Sequence, residues 1–368
     1  MIFLMSKKIY TFGEIMGRIQ PEGFARLKQS MPGSLNLTFG GAEANVAASI
    51  STMGKDTAFI SALPQNDLGE ACISFLKGLN VDTSGIHRTN GGRLGLYFVE
   101  AGANQRPSKV VYDRMHSSIS ETDASAYEFS EAFKQAAWLH LSGITPALSE
   151  QAAHAVFAAA QAAKSAGVPV SCDLNFRKKL WNWRPGTDAK TLARETMKQV
   201  LPSVDMVIAN EEDASDVLDI QIQDQDIHSG TLEIDKYPEV AKEIVRQFPN
   251  VKQVAITLRE SLSASHNNWG AMLYEVSSEK AHFAPMKDEA YQPYEIKNIV
   301  DRVGGGDSFA AGLIFAFNDD QLSSPETAIR YAVAASCLAH STLGDVNYST
   351  RDEVMTLMDG DASGRVQR

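Results

Sequence analysis

The sequence predicts an α/β fold: a mainly parallel sheet covered by helices on both faces, with a small second sheet attached. Three observations predict it. Six short apolar runs read as fully buried strands, helix candidates lie between them, and two stretches near the start break that rhythm.

The strand candidates are residues 8–13 (KIYTFG), 57–62 (TAFISA), 137–142 (AWLHLS), 168–173 (VPVSCD), 204–210 (VDMVIAN) and 253–258 (QVAITL). Between them, residues 42–53 form a small, apolar helix candidate and residues 67–79 an amphipathic one. Residues 149–166 form an alanine-rich helix candidate that opens with Ser149, a good N-cap. Strands joined by crossover helices run parallel, and ligands then sit outside their carboxyl ends. The residues after each strand are therefore the first candidates for function.

The two exceptions are an irregular polar segment over residues 14–38 and a hairpin pattern over residues 93–114. In the second, LGLYFVEAG and KVVYDR flank the polar ANQRPS. They predict a small sheet projecting as a lid. Residues 216–237 read as an acidic surface excursion, and the tail after Met358 reads as frayed. The organisation expected is one domain over residues 7–350, with lid segments at about 14–38 and 93–114. A C-terminal helix end and tail fill residues 351–368.

The chain has 368 residues, 44% hydrophobic and 21% charged, ample for a large core. A formal net charge of −11 argues against a nucleic-acid partner, which requires a basic face. It also means that any phosphate site must carry local positive charge from Arg, Lys, magnesium or helix N-termini. Cys72, Cys172 and Cys337 are scattered, with no metal-ligand spacing and no disulfide framework, which suits a reducing cytosol. MIFLMSKK puts an apolar patch before two lysines, the reverse of a secretory signal, and Met5 is an alternative initiator. No apolar run approaches the ~18 residues of a membrane span. A cytoplasmic protein without a membrane partner is expected.

The strongest local feature is Asp301-Arg302-Val303-Gly304-Gly305-Gly306-Asp307-Ser308-Phe309, after a strand-like YEIKNIVD and before a helical AAGLIFAF. Consecutive glycines at a strand-to-helix turn let amide N–H groups point outward, and the helix N-terminus adds positive character. That makes an anion hole suited to a γ-phosphoryl group. No Gly-Lys-Ser/Thr follows, so it is not a P-loop, and a dinucleotide fingerprint is absent. Asp307 sits where the anion hole opens. It is either a general base that takes the proton of an attacking hydroxyl, or a helix N-cap. Earlier, Gly40 and Gly41 lead into Ala42-Glu43-Ala44-Asn45. The glycine pair allows close approach to a ligand, and Asn45 can offer a donor and an acceptor to sugar hydroxyls; tight helix packing is the alternative.

GGAEANVA and DRVGGGDSFAAG, in that order and separation, are similar to the two signatures of the ribokinase (PfkB) family of carbohydrate kinases. The resemblance covers nearly the whole chain. It implies a ribokinase-like three-layer fold with a β-lid, transfer of phosphate from ATP with Mg2+, and Asp307 as base over the anion hole of Gly304, Gly305 and Gly306. The usual Thr-Gly-Ala-Gly-Asp core is Val303-Gly-Gly-Gly-Asp here, which looks like the branch that phosphorylates 2-keto-3-deoxygluconate to its 6-phosphate.

Further segments resemble that branch. Asp173-Leu174-Asn175-Phe176-Arg177 is similar to its D-x-N-x-R segment, in which the arginine faces a sugar acid; Arg177 could hold a carboxylate in a bidentate pair. Tyr97, Tyr112 and Arg114 resemble ligand-facing lid positions, with cross-strand packing the alternative for the tyrosines. Asn210-Glu211-Glu212-Asp213 resembles the family's N-x-x-E motif for magnesium and phosphate. The fourth residue is one methylene short, so Glu211, Glu212 and Asp213 all stay open. Thr257 and Arg259 stand where the family lines the nucleotide, as does Asn175. Arg259 replaces a glycine and could reach phosphates, and residues 335–347 resemble the segment that closes over adenine. A monovalent cation (K+) beside Asp301 is implied by likeness alone. His140 reads as a core residue. A kinase for a neutral sugar and a silent sugar-binding protein are the alternative functions, and pairing of two copies through the lid is the assembly expected.

Overall fold

The structure, a computed structural model, describes residues 7–210, 212–220 and 234–361. Its main sheet runs in the order Lys280–Ala284, His266–Glu275, Gln253–Ser263, Met206–Asn210, Val170–Asp173, Ala136–Ser142, Lys8–Phe12, Thr57–Pro64 and Val81–Asp82. Every pairing from Gln253–Ser263 to Val81–Asp82 is parallel; beyond Gln253–Ser263 the edge turns antiparallel. Alternate side chains enter opposite helical layers. Met206 and Ile208 pack with the helices Gly305–Phe317 and Pro325–Ala339, while Val207 and Ala209 pack with Glu150–Ser165 and Ala189–Val200. Burial on both faces is why these strands read as apolar runs.

All six expected strands lie in the parallel part of this sheet. The three expected helices are Ala42–Thr52, Asp67–Gly78 and Glu150–Ser165. The last is capped by Ser149, whose hydroxyl accepts from the Ala152 N–H at 3.0 Å.

A separate four-stranded sheet has the order Asn36–Gly40, Met16–Gln20, Gly95–Glu100, Lys109–Asp113. Its register puts Thr38, Arg18, Tyr97 and Tyr112 in one row, and Leu37, Ile19, Phe98 and Val111 in the next. Successive residues face opposite sides. The first row, from Arg18 through Tyr97 to Tyr112, therefore looks into the molecule, with Thr38 exposed at its edge, and the second, with Leu37 and Val111 exposed, looks out.

Three local expectations are corrected. The strand ending at Leu258 runs on to Ser263, because an antiparallel hairpin partner, His266–Glu275, extends the ladder past the end of its parallel neighbour. Arg259 thus lies within the strand that holds Thr257, not after it. The strand before the glycines is only Tyr294–Lys297, and residues 298–304 form an irregular approach in which Asn298 takes a left-handed φ of 59°. The acidic excursion starts inside the helix Asp213–Leu218 and ends at buried Tyr237, which opens the helix Tyr237–Gln247; residues 221–233 lie outside the described residues. The tail 362–368 and Glu211 lie outside them as well. Among the described residues no helix is long and apolar enough to cross a membrane.

Candidate active site

The carboxyl ends of the parallel strands converge on a cavity of about 460 Å3. Asp173 and Asn210 end their strands, and Asn210 is the register partner of Thr257. All three side chains line the cavity, together with Asn175, Arg177, Asp213 and Arg259. The inner row of the small sheet closes the opposite wall through Tyr97 and Tyr112.

The glycine turn lies at the centre. Gly304 takes a left-handed φ of 84°, and a Cβ there would sit 2.0 Å from the Asp345 carbonyl oxygen, so only glycine fits. The helix Gly305–Phe317 begins directly after it with no side-chain cap, which leaves first-turn amides available to an anion. Gly304, Gly306 and Asp307 line the cavity; Gly305 is buried behind them, its carbonyl accepting from Ser336 Oγ at 2.6 Å.

Asp307 stands in the first turn of that helix. Burial raises its carboxyl to about 7. The hydrogen bond from Asn45 Nδ2 at 2.7 Å pulls it down, the charges of Asp345 and Glu43 push it further up, and Arg177 opposes them. A carboxyl poised near neutrality suits a general base. The N-cap alternative is corrected, since Gly304 occupies the cap and Asp307 lies inside the helix.

Asn45 is committed to the protein. Its Oδ1 accepts the Gly41 N–H at 3.1 Å, which turns its Nδ2 to Asp307. Both polar atoms of its amide thus have a partner within the protein, and Asn45 lines the cavity beside Asp307. Gly41 lines the cavity, whereas Gly40 lies behind it, where a Cβ would meet Asp345 Oδ2 at 2.5 Å and the Tyr97 hydroxyl at 2.7 Å.

Arg114 is buried, as expected of a group facing an anion, but its anion is internal. Its Nε donates to Glu14 Oε2 at 2.7 Å, and its Nη2 pairs with the same oxygen. Both groups line the cavity, and the guanidinium lies 5.4 Å from the Tyr112 ring centroid. Arg177 differs: it is exposed in the cavity and makes no ion pair among the described residues. Its charge acts on Asp173, Asp213 and Asp307, lowering all three. Burial nevertheless holds Asp173 well above the usual carboxylate range, helped by the charges of Asp213 and Asp307.

Of the acids open for magnesium, Asp213 is buried on the cavity wall and Glu212 is exposed outside it. Asp213 accepts the Phe176 N–H at 3.0 Å and the Asn210 N–H at 3.2 Å, and burial raises it to about 6. Lone pairs remain on both oxygens, so it fits a hydrated divalent cation, which binds few protein carboxylates.

Several cavity residues were not singled out from the sequence: Glu14, Glu43, Arg302 and Asp345. Glu43 and Arg302 belong to the two signature segments, and Asp345 to residues 335–347. Glu43 accepts from Ser142 Oγ at 2.6 Å and Thr145 Oγ1 at 2.8 Å, partners about a hundred residues away that no local signal announces.

Comparison with known proteins identifies the family. The profile of the pfkB family carbohydrate kinases matches residues 6–351. A 2-dehydro-3-deoxygalactonokinase of Haloferax volcanii is 30% identical over 98% of this chain and 99% of its own length. Fructokinase-2 of Solanum lycopersicum is 26% identical over 96% and 97%. The crystal structure of a 2-dehydro-3-deoxygluconokinase from Thermotoga maritima superposes with a TM-score of 0.84 at 41% identity, covering 96% of this chain and 100% of that one. With both signature segments meeting in one cavity and the family profile spanning nearly every residue, this chain belongs to the pfkB family of carbohydrate kinases, on a ribokinase-like fold.

Proposed function

We propose that the enzyme transfers the γ-phosphate of Mg-ATP to the terminal hydroxyl of a 2-keto-3-deoxy sugar acid, most readily 2-keto-3-deoxygluconate, giving its 6-phosphate. One observation carries the choice of a sugar acid: Arg177 faces the cavity with no ion-pair partner among the described residues. A neutral sugar leaves that guanidinium without a counter-ion, whereas a carboxylate can take it in a bidentate pair. The likeness to kinases named for 2-dehydro-3-deoxy sugar acids supports the same reading. Arg114, neutralised by Glu14, then orients Tyr112 and the wall around the substrate and does not carry the carboxylate alone.

In this mechanism Asp307 accepts the hydroxyl proton as the oxygen attacks in line. The amides of Gly304, Gly305 and Gly306 stabilise the charge on the transferring group. Asn210, Asn175, Thr257 and Arg259 hold the nucleotide, and Asp213 holds magnesium through water. Magnesium supplies neutralisation of the phosphate oxygens. The small sheet acts as a lid that keeps water from competing as acceptor. The exposed outer row through Leu37 and Val111 supports pairing of two copies through that lid, and the scattered cysteines support a cytoplasmic setting.

A second reading, a neutral-sugar kinase, is favoured by the likeness to fructokinases. The deciding experiment measures ADP formation with 2-keto-3-deoxygluconate, 2-keto-3-deoxygalactonate, fructose, ribose and gluconate. Preference for a keto-deoxy acid is the expected result. Turnover of fructose or ribose alone overturns the choice of substrate and keeps the chemistry.

A further inference from the structure

Arg18 is among the most deeply buried cations of the described residues, 1% exposed, and nothing in the mechanism above uses it. It sits on the inner row of the small sheet as the register partner of Tyr97. Its guanidinium grips two carboxylates at once: Nη1 donates to Asp345 Oδ1 and Nη2 to Asp301 Oδ2. Gln20 Oε1 steadies it from the same strand, accepting from Nη2 at 2.7 Å and Nε at 3.1 Å.

The two acids bracket the glycine turn. Asp301 begins the turn segment, and its Oδ1 accepts the Val303 N–H at 3.1 Å. Asp345 backs Gly304 through its main chain, while its other carboxylate oxygen accepts the Tyr97 hydroxyl and lies against Gly40. One guanidinium therefore ties the inner face of the small sheet to both glycine segments.

The same contacts test whether a monovalent cation fits beside Asp301. Such an ion needs oxygen lone pairs directed at it. Oδ2 of Asp301 is filled by Arg18 and the Gly344 N–H, at 3.3 Å, and Oδ1, which accepts from Val303, keeps a single lone pair. An ion placed there would also meet the charge of Arg18. The residues do not fit it.

We propose that Arg18 is a positioning residue for phosphoryl transfer: its guanidinium is a built-in cation that fixes the glycine turn against the small sheet, so that transfer requires no bound monovalent cation. The proposal rests on the reading of Gly304, Gly305 and Gly306 as the anion hole.

The test measures kcat and KM for the best substrate of the sugar panel, at constant ionic strength, with potassium, sodium or tetramethylammonium as the only monovalent cation. The expected result is agreement within about twofold across the three salts, because no step then reads the ion's size. A fall of roughly tenfold or more in tetramethylammonium overturns the proposal while leaving the kinase reading intact. Silence of the wild-type enzyme on every sugar tried would instead overturn the kinase reading. Two variants separate positioning from mere stability. Arg18→Lys keeps the charge and is expected to stay indifferent to the salt. Arg18→Gln is expected to lose about ten- to a hundredfold in kcat per folded enzyme and to regain part of it with potassium or guanidinium. A folded Arg18→Gln enzyme with unchanged kcat overturns the positioning role. If that variant does not fold, the wild-type salt series decides.

Discussion

Removing the side chain of Asn45 should act on catalysis through the proton affinity of Asp307, and the size of the effect follows from the geometry. Asn45 Nδ2 donates to Asp307 Oδ2 at 2.7 Å and favours the ionised carboxylate, in a pocket where burial holds Asp307 at about 7. A hydrogen bond to a charged acceptor contributes about 1.5–3 kcal/mol. At about 1.36 kcal/mol per pKa unit, Asn45→Ala moves Asp307 upward by roughly one to two units. With a new value near about 8.5, only about 3% of Asp307 is ionised at pH 7, where about half was before. The rate kcat/KM at pH 7 then falls roughly fifteenfold and recovers above about pH 9.

The assay is initial-rate ADP formation at limiting Mg-ATP across the pH range, because kcat/KM reports groups of the free enzyme. The acid limb of the wild type should bend near 7, and that of the variant at least one unit higher. The Gly41 N–H also loses its acceptor, at a cost to stability of about 1–3 kcal/mol, so the folded fraction is checked by thermal melting. A loss equal at every pH refutes the reasoning: Asn45 would then act on the substrate directly, and the ionisation of Asp307 would not limit the rate.

Asp307→Asn should lower kcat by about 10²–10⁴-fold with ATP binding, read by calorimetry, little changed. Arg177→Met should raise the KM of a keto-deoxy acid by roughly ten- to a hundredfold, the loss of a charge-assisted pair, and leave any neutral-sugar activity unaffected. His140, buried and pushed down to about 3 by desolvation, stays neutral in the fold while the unfolded chain protonates near 6.5. The unfolded state therefore binds the extra proton, and stability from this group is lost as pH falls from about 6.5 toward 3. Buried carboxyls raised above their ordinary values, such as Glu43 and Asp345, push the other way, so the clean measurement is a difference. Relative to wild type, His140→Asn should gain about 1.4 kcal/mol per pH unit below 6.5 in denaturant unfolding.

The elements read most easily were those whose physics is local. Central parallel strands are buried on both faces, so 206–210 is a plain apolar run; a glycine turn that needs φ of 84° at Gly304 leaves a glycine at that place. The hairpin strand His266–Glu275 was missed because it opens with His-Asn-Asn, and the apolar pattern begins only where it enters the core. Partnerships were harder. Arg114 looked like an unpaired cation, but its carboxylate is Glu14, 100 residues earlier in the chain; Asn45 and Asp307 are 262 residues apart. Arg18 lies in a segment that reads as polar and irregular. Nothing local marks it as buried, because its burial is created by strand pairing with Tyr97 and by two acids from the far end of the chain.

These pairings explain how a chain of net charge −11 can receive anions. Surface charges further than about 10 Å from a ligand are largely screened at ordinary salt, so the total matters less than which cations stay free in the cavity. Arg114 is taken by Glu14, and Arg18, behind the wall, is taken by Asp301 and Asp345. Arg177, Arg259 and Arg302 line the cavity without an ion-pair partner among the described residues. Arg302 donates to the Ser263 carbonyl at 3.0 Å and to Asn267 Oδ1 at 3.1 Å; burial and the charge of Arg259 lower its proton affinity, with Asp301 offsetting part of this. Two arginines that repel each other on the cavity wall gain more from a polyphosphate than either would alone. The internal ion pairs therefore work by subtraction: among the described residues they leave Arg177, Arg259 and Arg302 as the cavity cations open to the anionic ligands of the proposed reaction.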